Sequence, residues 1–454
     1  MPPVGSYVVI GAVAALVSFA ACFPARGVAR RLGHVAAPDE RRVHQRPTPY
    51  GGGVAMLLAV FAGLAVASTM APMGRIFTGS SEPLGVVIAA AVIFGVGLLD
   101  DARDMSAPAK VAGEVLAASV LYFFGVTMFQ FKIPLAGFVV LSPGLTPLLT
   151  ALWVIGITNA VNLIDGLDGL AAGIVAIGSG ALAVYGLRLV VLGELSAHNI
   201  GPLIAVVTCG ACLGFLPHNF HEAKVFMGDA GALLLGLLMA SATMVVGGRT
   251  PPVSGQTYFF FAPLFIPLFI LGVPIADMAF AFVRRTAKGT GFQTPDKDHI
   301  HHRLLRLGHG HRRTVVILWA WTVVLSGFVL LPLFGGRAAN AVIPFGAVVL
   351  GLALYTMFHP GLRRGDDERA PEVLSPPADL RDDAPPEPAP PSSAHPGSAH
   401  PGSAAPGSAA PGSAHPGSAL VVPESVAPGQ APDRPLAGHA AQRRFGSGRH
   451  LMRR

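Results

Sequence analysis

LGVVIAAAVIFGVGLLDDARD, residues 84–104, runs sixteen positions without a charge and then places three carboxylates within five residues. A run of this kind is a helix that either crosses a bilayer or fills a core, and the composition around it decides which. Of the 454 residues, 52% are hydrophobic and 13% charged, whereas a soluble globular chain carries about 25% charged residues. The chain therefore reads as an all-α polytopic membrane protein. Outward from residues 84–99, ten further apolar segments approach the ~20 residues that a helical span needs. They lie at about 4–23, 52–71, 109–126, 145–163, 170–187, 200–216, 230–246, 258–283, 315–333 and 338–358, which makes about eleven predicted transmembrane helices.

Basic residues orient the spans, because Lys and Arg accumulate in cytoplasmic loops. Odd-numbered connections carry Arg26, Arg30, Arg31, Arg41, Arg42 and Arg46, then Arg103 and Lys110, then Lys224, then eight more between Arg284 and Arg313. Even-numbered connections hold only Arg75, Lys132, Arg188, Arg249 and Arg337. Seventeen against five predicts an outside N-terminus and a cytoplasmic C-terminus. The net charge of +7 then reflects topology and calls for no nucleic-acid partner. The first span lacks a positive n-region, so it reads as a retained helix and not as a cleaved signal peptide. Cys209 and Cys212 have CxxC spacing but fall inside a span, where helix packing is the expected role.

Residues 1–363 form the predicted membrane domain. From 364 to 454 the chain turns to Pro, Ala, Ser and acidic residues, with five copies of a His/Ala-Pro-Gly-Ser-Ala pentapeptide at 395–419. Too little apolar surface is present to offset ordering entropy, so this part reads as a disordered cytoplasmic tail. Residues 128–143 alternate β-branched and aromatic side chains and predict a small outside hairpin.

The topology sets four polar clusters on the same, cytoplasmic side. The first is Asp100, Asp101 and Asp104. If the helix continued, the three would converge through i,i+3 and i,i+4 spacing, making either a Mg²⁺ site completed by phosphate oxygens or a solvated helix end. The second is NAVNLIDGLD, residues 159–168. Asn159, Asn162, Asp165 and Asp168 recur every third residue and drift about half way round a helix, so they can share one ligand only if the chain ends or bends at Gly166 and Gly169. The third, HNFHEAKVFMGD at 218–229, carries Asn219, Lys224, Phe226 and Asp229. Its Lys224 can neutralise phosphate, and its glycines let backbone approach a ligand. The fourth, DHIHH at 298–302, carries His299, His301 and His302, which suit phosphate oxygens better than a zinc tetrahedron. The HGHRR that follows reads as a basic interface stripe. Asp277, alone inside a span, is either functional or a helix-to-helix hydrogen bond.

These clusters, with the basic motif RRVHQRPTPYGGG at 41–53, resemble the polyprenyl-phosphate N-acetylhexosamine-1-phosphate transferases. That family is glycosyltransferase family 4, in the same superfamily as phospho-N-acetylmuramoyl-pentapeptide transferase. The resemblance covers about residues 38–313 and rests on five motifs in family order, including DDxxD, NxxNxxDGxDGL, HNxxxAKxFMGDxG and HIHHRLL. It implies transfer of a sugar 1-phosphate from a UDP-sugar to undecaprenyl phosphate with Mg²⁺ (Mn²⁺ being the alternative), release of UMP, and initiation of an envelope polysaccharide such as O-antigen, enterobacterial common antigen or teichoic acid. The implied setting is the bacterial cytoplasmic membrane, with the site facing the cytoplasm.

By the same resemblance, Asp229 is the principal metal ligand and Asp100 and Asp101 lie near metal and acceptor phosphate. Asn219, Phe226 and the Asp165–Asp168 turn belong to a uridine pocket, with Asn159, Asn162 and Lys224 as further binding residues. Arg42 and His44 bind substrate from the entry motif, His299 binds it from the DHIHH loop, and His301 and His302 serve the diphosphate or sugar. HIHHRLL favours UDP-N-acetylglucosamine over the muramoyl-pentapeptide donor. The expected partners are the UDP-sugar, the polyprenyl phosphate and membrane lipid, with a homodimer left open. Glu222 stands where the family usually has Pro. A secondary transporter is the alternative of a different class, but transporter sites lie near the midplane, often between repeated halves, and no such repeat is present.

Overall fold

The computed structural model describes residues 2–36, 47–133, 137–247 and 310–330, with a few helical positions between 344 and 352. Arg42, His44, Asp277, His299, His301, His302, the 258–283 segment, most of 338–358 and the 364–454 tail lie outside the described residues. Among the described helices, seven are long and apolar enough to cross a membrane. They are α1 (Val4–Arg31), α2 (Gly52–Thr69), α4 (Glu82–Arg103), α6 (Leu145–Ile164), α7 (Leu170–Val191), α8 (Gly201–Asn219) and α9 (Gly228–Gly247). The short α3 (Gly74–Thr78) links α2 to α4, while α5 (Ala107–Phe123) and α10 (His311–Leu330) match the fourth and tenth predicted segments in position. The protein is a helical, polytopic membrane protein.

At the centre stands α9, in which every residue except Asp229 is buried. A helix apolar on all sides has no polar face to turn outward and is enclosed by its neighbours. Here those neighbours are α2, α4, α6, α7 and α8. On the periphery the order is inverted, since Leu16, Leu116 and Leu152 are exposed, as apolar side chains facing lipid should be. Helices in hydrocarbon associate through close backbone approach at small residues, and Gly97 of α4 shows the principle. A Cβ added there would lie 2.4 Å from the Ala230 Cα, so the start of α9 rests directly on the α4 backbone.

Two small antiparallel pairs complete the described chain. β3 (Gln130–Ile133) and β4 (Gly137–Val140) form the hairpin predicted for 128–143, with Gln130 opposite Val140. β1 (Val35–Ala36) pairs with β2 (Thr48–Pro49), which lies within the basic 41–53 motif.

One local expectation is corrected. Continuing the helix through Asp104 would gather three carboxylates, but α4 ends at Arg103 and Asp104 turns left-handed at φ 47°. The Asp100 side chain ends the helix by accepting the Met105 N–H at 2.8 Å. Asp104 is exposed at this turn.

The Gly97 contact yields a paired prediction. Gly97→Val should destabilise the protein in detergent by about 1–3 kcal/mol, the cost of overpacking. Gly95→Ala, with open space around its added Cβ, should leave the melting temperature unchanged or slightly raised.

Candidate active site

Asp101 and Asp229 are 128 residues apart in sequence, and α9 begins where they meet. The Asp101 Oδ1 accepts the Asp229 N–H at 2.8 Å and its Oδ2 accepts the Ala230 N–H at 3.0 Å. A carboxylate on the first N–H groups of a helix satisfies orphan donors and complements the positive end of the dipole. Gly228 makes room for it, with φ at 68° and an added Cβ only 2.4 Å from the Asp101 Oδ2. The junction fixes the direction in which Asp229 leaves the helix.

Around Asp229 the other polar groups collect. The Lys110 ammonium, from the first turn of α5, donates to the Asp100 Oδ2 at 2.7 Å and also pairs with the Asp229 Oδ2. The Asn162 amide, near the end of α6, donates to the same Asp229 oxygen at 3.3 Å. Asp165 caps the C-terminal end of α6. Withdrawal from water, with the charges of Asp229, Asp101 and Asp168 adding to it, pushes the Asp165 carboxyl well above the ordinary carboxylate range. So many carboxylates in one enclosure repel each other unless cations share the space.

The NAVNLIDGLD row bends as its glycines allow: α6 stops at Ile164, and α7 starts after Gly169 at φ 76°. The four residues then part company. Asn162 and Asp165 belong to the Asp229 cluster. Asn159 turns to Glu114, donating to both carboxylate oxygens at 2.9 Å. Asp168 accepts the Ala223 N–H at 3.1 Å and braces the α8–α9 loop. Asn219 has a related bracing role, accepting the Gly169 N–H at 2.9 Å and donating to the Val225 carbonyl at 3.1 Å.

Phe226 joins this loop to the entry motif. Its N–H donates to the Pro49 carbonyl at 3.0 Å, its carbonyl accepts the Gly52 N–H at 2.9 Å, and Gly53 donates to the Met227 carbonyl at 3.1 Å. The Phe226 ring is half-buried with the Tyr50 ring 6.1 Å away, and Lys224 is exposed on the same loop. Glu222 has φ 63°, a conformation closed to proline. Beside the junction lies an apolar cavity of about 320 Å³ between α1, α2 and α4, walled by Pro24, Val28, Leu58 and Leu98 and ending at His34 and Asp101.

Two members of the site fall outside the sequence motifs. Lys110 reads in sequence as one more basic residue of a connection. Glu114 lies in the apolar 109–126 run and is completely buried. The signals that find them are the rule that a carboxylate within a span has a partner and the i,i+4 spacing that puts both on one face of α5.

The donor set around Asp229 is suited to a hard divalent cation. Asp100, Asp165 and Asp229 offer carboxylate oxygen, the ligand type Mg²⁺ takes, and Mg²⁺ characteristically leaves positions for phosphate oxygens. The Lys110 ammonium already sits between Asp100 and Asp229, so the enclosure accommodates positive charge at that point.

The comparisons with known proteins agree with this architecture. The pattern of glycosyl transferase family 4 matches residues 83–247. Decaprenyl-phosphate N-acetylglucosaminephosphotransferase of Mycobacterium tuberculosis (strain ATCC 25618 / H37Rv) is 39% identical over 385 residues, 82% of this chain and 93% of that protein. The protein of the same name from Mycobacterium leprae (strain TN) is 39% identical over 380 residues, 80% of this chain and 93% of its own length. A Bacillus subtilis (strain 168) protein named "Probable undecaprenyl-phosphate N-acetylglucosaminyl 1-phosphate transferase" is 36% identical over 303 residues, 66% and 76% of the two chains. The chain belongs to glycosyl transferase family 4.

Asp101→Ala should cost about 0.5–2 kcal/mol through loss of the cap on α9, while Asp101→Asn, which keeps one acceptor, should cost less; thermal unfolding in detergent checks the order. Glu222→Pro should destabilise the loop in the same assay, because φ 63° is closed to it.

Proposed function

We propose that the protein transfers N-acetylglucosamine 1-phosphate from UDP-N-acetylglucosamine to a polyprenyl phosphate of the undecaprenyl class, releasing UMP at the cytoplasmic face. The observation that carries this reading is the convergence of Asp100, Lys110, Asn162, Asp165 and Asp229 at one end of the central helix. The names of the relatives support the sugar and the lipid acceptor, and the donor nucleotide follows from the family resemblance. Chemically the reaction is displacement at the β-phosphorus: an oxygen of the lipid phosphate forms a bond to it, and the bridging oxygen leaves with UMP and the bonding electron pair.

The barrier to joining two polyanions lies mainly in charge repulsion and positioning. Lys110 supplies a fixed positive charge, held by Asp100 and Asp229. A Mg²⁺ ion held by Asp229, with Asp100 and Asp165 beside it, would contribute Lewis-acid charge neutralisation. A phosphate monoester with its second pKa near ~6 is already mostly ionised at neutral pH, so the acceptor needs orientation more than deprotonation, a role assigned here to Asp100. Asp101 serves the same site as a positioning residue, through the start of α9. The apolar cavity ending at Asp101 supports an acceptor that remains in lipid. Direct attack is the favoured route, and trapping a phosphoryl or sugar-phosphate adduct on Asp100 or Asp101 would replace it with a covalent one. The 298–302 histidines stay assigned to the diphosphate or sugar.

The test is UMP release by the purified full chain with undecaprenyl phosphate and Mg²⁺. Release is expected with UDP-N-acetylglucosamine, not with UDP-N-acetylmuramoyl-pentapeptide, and should cease on chelation. Asp229→Asn and Lys110→Gln should each lower kcat on the order of 10²–10³-fold, the scale for losing one electrostatic contact to developing charge. No release with any UDP-sugar would overturn the assignment.

A further inference from the structure

A second cluster lies where the Asp168 turn, the α8–α9 loop and the start of α10 meet. Asp168, His221 and His311 each turn one potential ligand atom toward the others, and all three atoms lie within 4.8 Å of one another. They come from three separate segments of the chain. The two imidazoles stack with centroids 5.1 Å apart and planes 18° from parallel. Asp168 is buried and oriented by the Ala223 N–H on its Oδ2. The Nδ1 of His221 is buried with no hydrogen-bond partner among the described residues, and a buried polar atom of that kind calls for a partner.

We infer that Asp168, His221 and His311 form a second metal site, selective for an ion of the zinc class. Two imidazole nitrogens and one carboxylate make a borderline-soft set, which suits Zn²⁺, Co²⁺ or Ni²⁺ better than Mg²⁺. The Asp229 cluster offers oxygen donors instead, so the two sites differ in ion as well as in place. Ligands about 2.0–2.2 Å from Zn²⁺ lie about 3.3–3.6 Å apart in a tetrahedron, a closure that rotation of the two histidine side chains can supply. Three protein ligands leave the fourth position to water.

The placement also gives the ion a purpose. Below the cluster, α10 is seated on α7, with Trp319 against the bare Cα of Gly173 and its ring 5.5 Å from that of Phe220. A metal joining His311 to Asp168 and His221 fastens the first turn of α10 to two segments that border the active site. This inference does not depend on the identity of the sugar substrate.

The experiment uses the full-length chain in detergent, stripped with chelator and titrated with Zn²⁺ in excess Mg²⁺. Bound zinc and the melting temperature are both measured. Wild type should retain about one more tightly bound Zn²⁺ than His221→Ala or His311→Ala, and zinc should raise its melting temperature by linkage. Each variant should bind zinc at this site at least ~10-fold more weakly and lose the zinc-dependent rise. Histidines elsewhere, including those of 298–302 and the repeats, contribute equally to all samples and cancel in the difference. Should an alanine variant fail to fold, His221→Gln carries the same comparison. Equal zinc content and equal zinc-dependent stabilisation in wild type and variants would overturn the site.

Discussion

The closure of the α9 N-terminus by Asp101 is the contact on which the rest of the site depends. A helix that starts inside a protein brings unpaired N–H groups with it, and a neighbouring carboxylate meets two of them. That solution demands close backbone approach, which Gly97 and Gly228 allow. It also decides the position of Asp229, which lies in the first turn of the capped helix. The residues that let α4 touch α9 also aim the carboxylate around which the other polar groups collect.

Beyond that junction the organising quantity is charge. Asp100, Asp165 and Asp229 share one enclosure with a single described ammonium, that of Lys110. Such an arrangement is costly for its own sake in a membrane protein, where ionisable groups within spans are kept for function. It becomes reasonable when the substrates are polyanions that arrive with cations. Asn162, Asn159 and Glu114 extend the network along α5 and α6, so the reactive region is continuous with the helix packing beneath it.

Much of the fold was legible from apolar periodicity, because a span needs only length and hydrophobicity to be recognised. The helices α1, α2 and α4 to α9 fall where the apolar runs lie. The bend of the NAVNLIDGLD row was legible too, since residues three apart drift around a helix and two glycines offered the break. What sequence could not supply was partnership. Asp101 reads as a metal ligand or acceptor contact, yet both its oxygens hold backbone N–H groups, a role that depends on a helix start 128 residues away. Lys110 is indistinguishable in sequence from the basic residues that set topology, and Glu114 carries no motif. Asp104 shows a local limit: nothing in DDARD announces that the Asp100 side chain will end the helix one residue early.

If the capped helix presents Asp229 to a phosphoryl transfer between nucleotide and lipid, the β-phosphorus must change partners. Following the β-phosphorus itself tests this most directly, using UDP-N-acetylglucosamine labelled at the β-phosphate with the full chain and undecaprenyl phosphate in lipid vesicles. The label should pass into the lipid fraction still attached to sugar, unlabelled UMP should accumulate in equal amount, and Asp229→Ala should abolish both. Label remaining on the nucleotide, or transfer undiminished in Asp229→Ala, would contradict it.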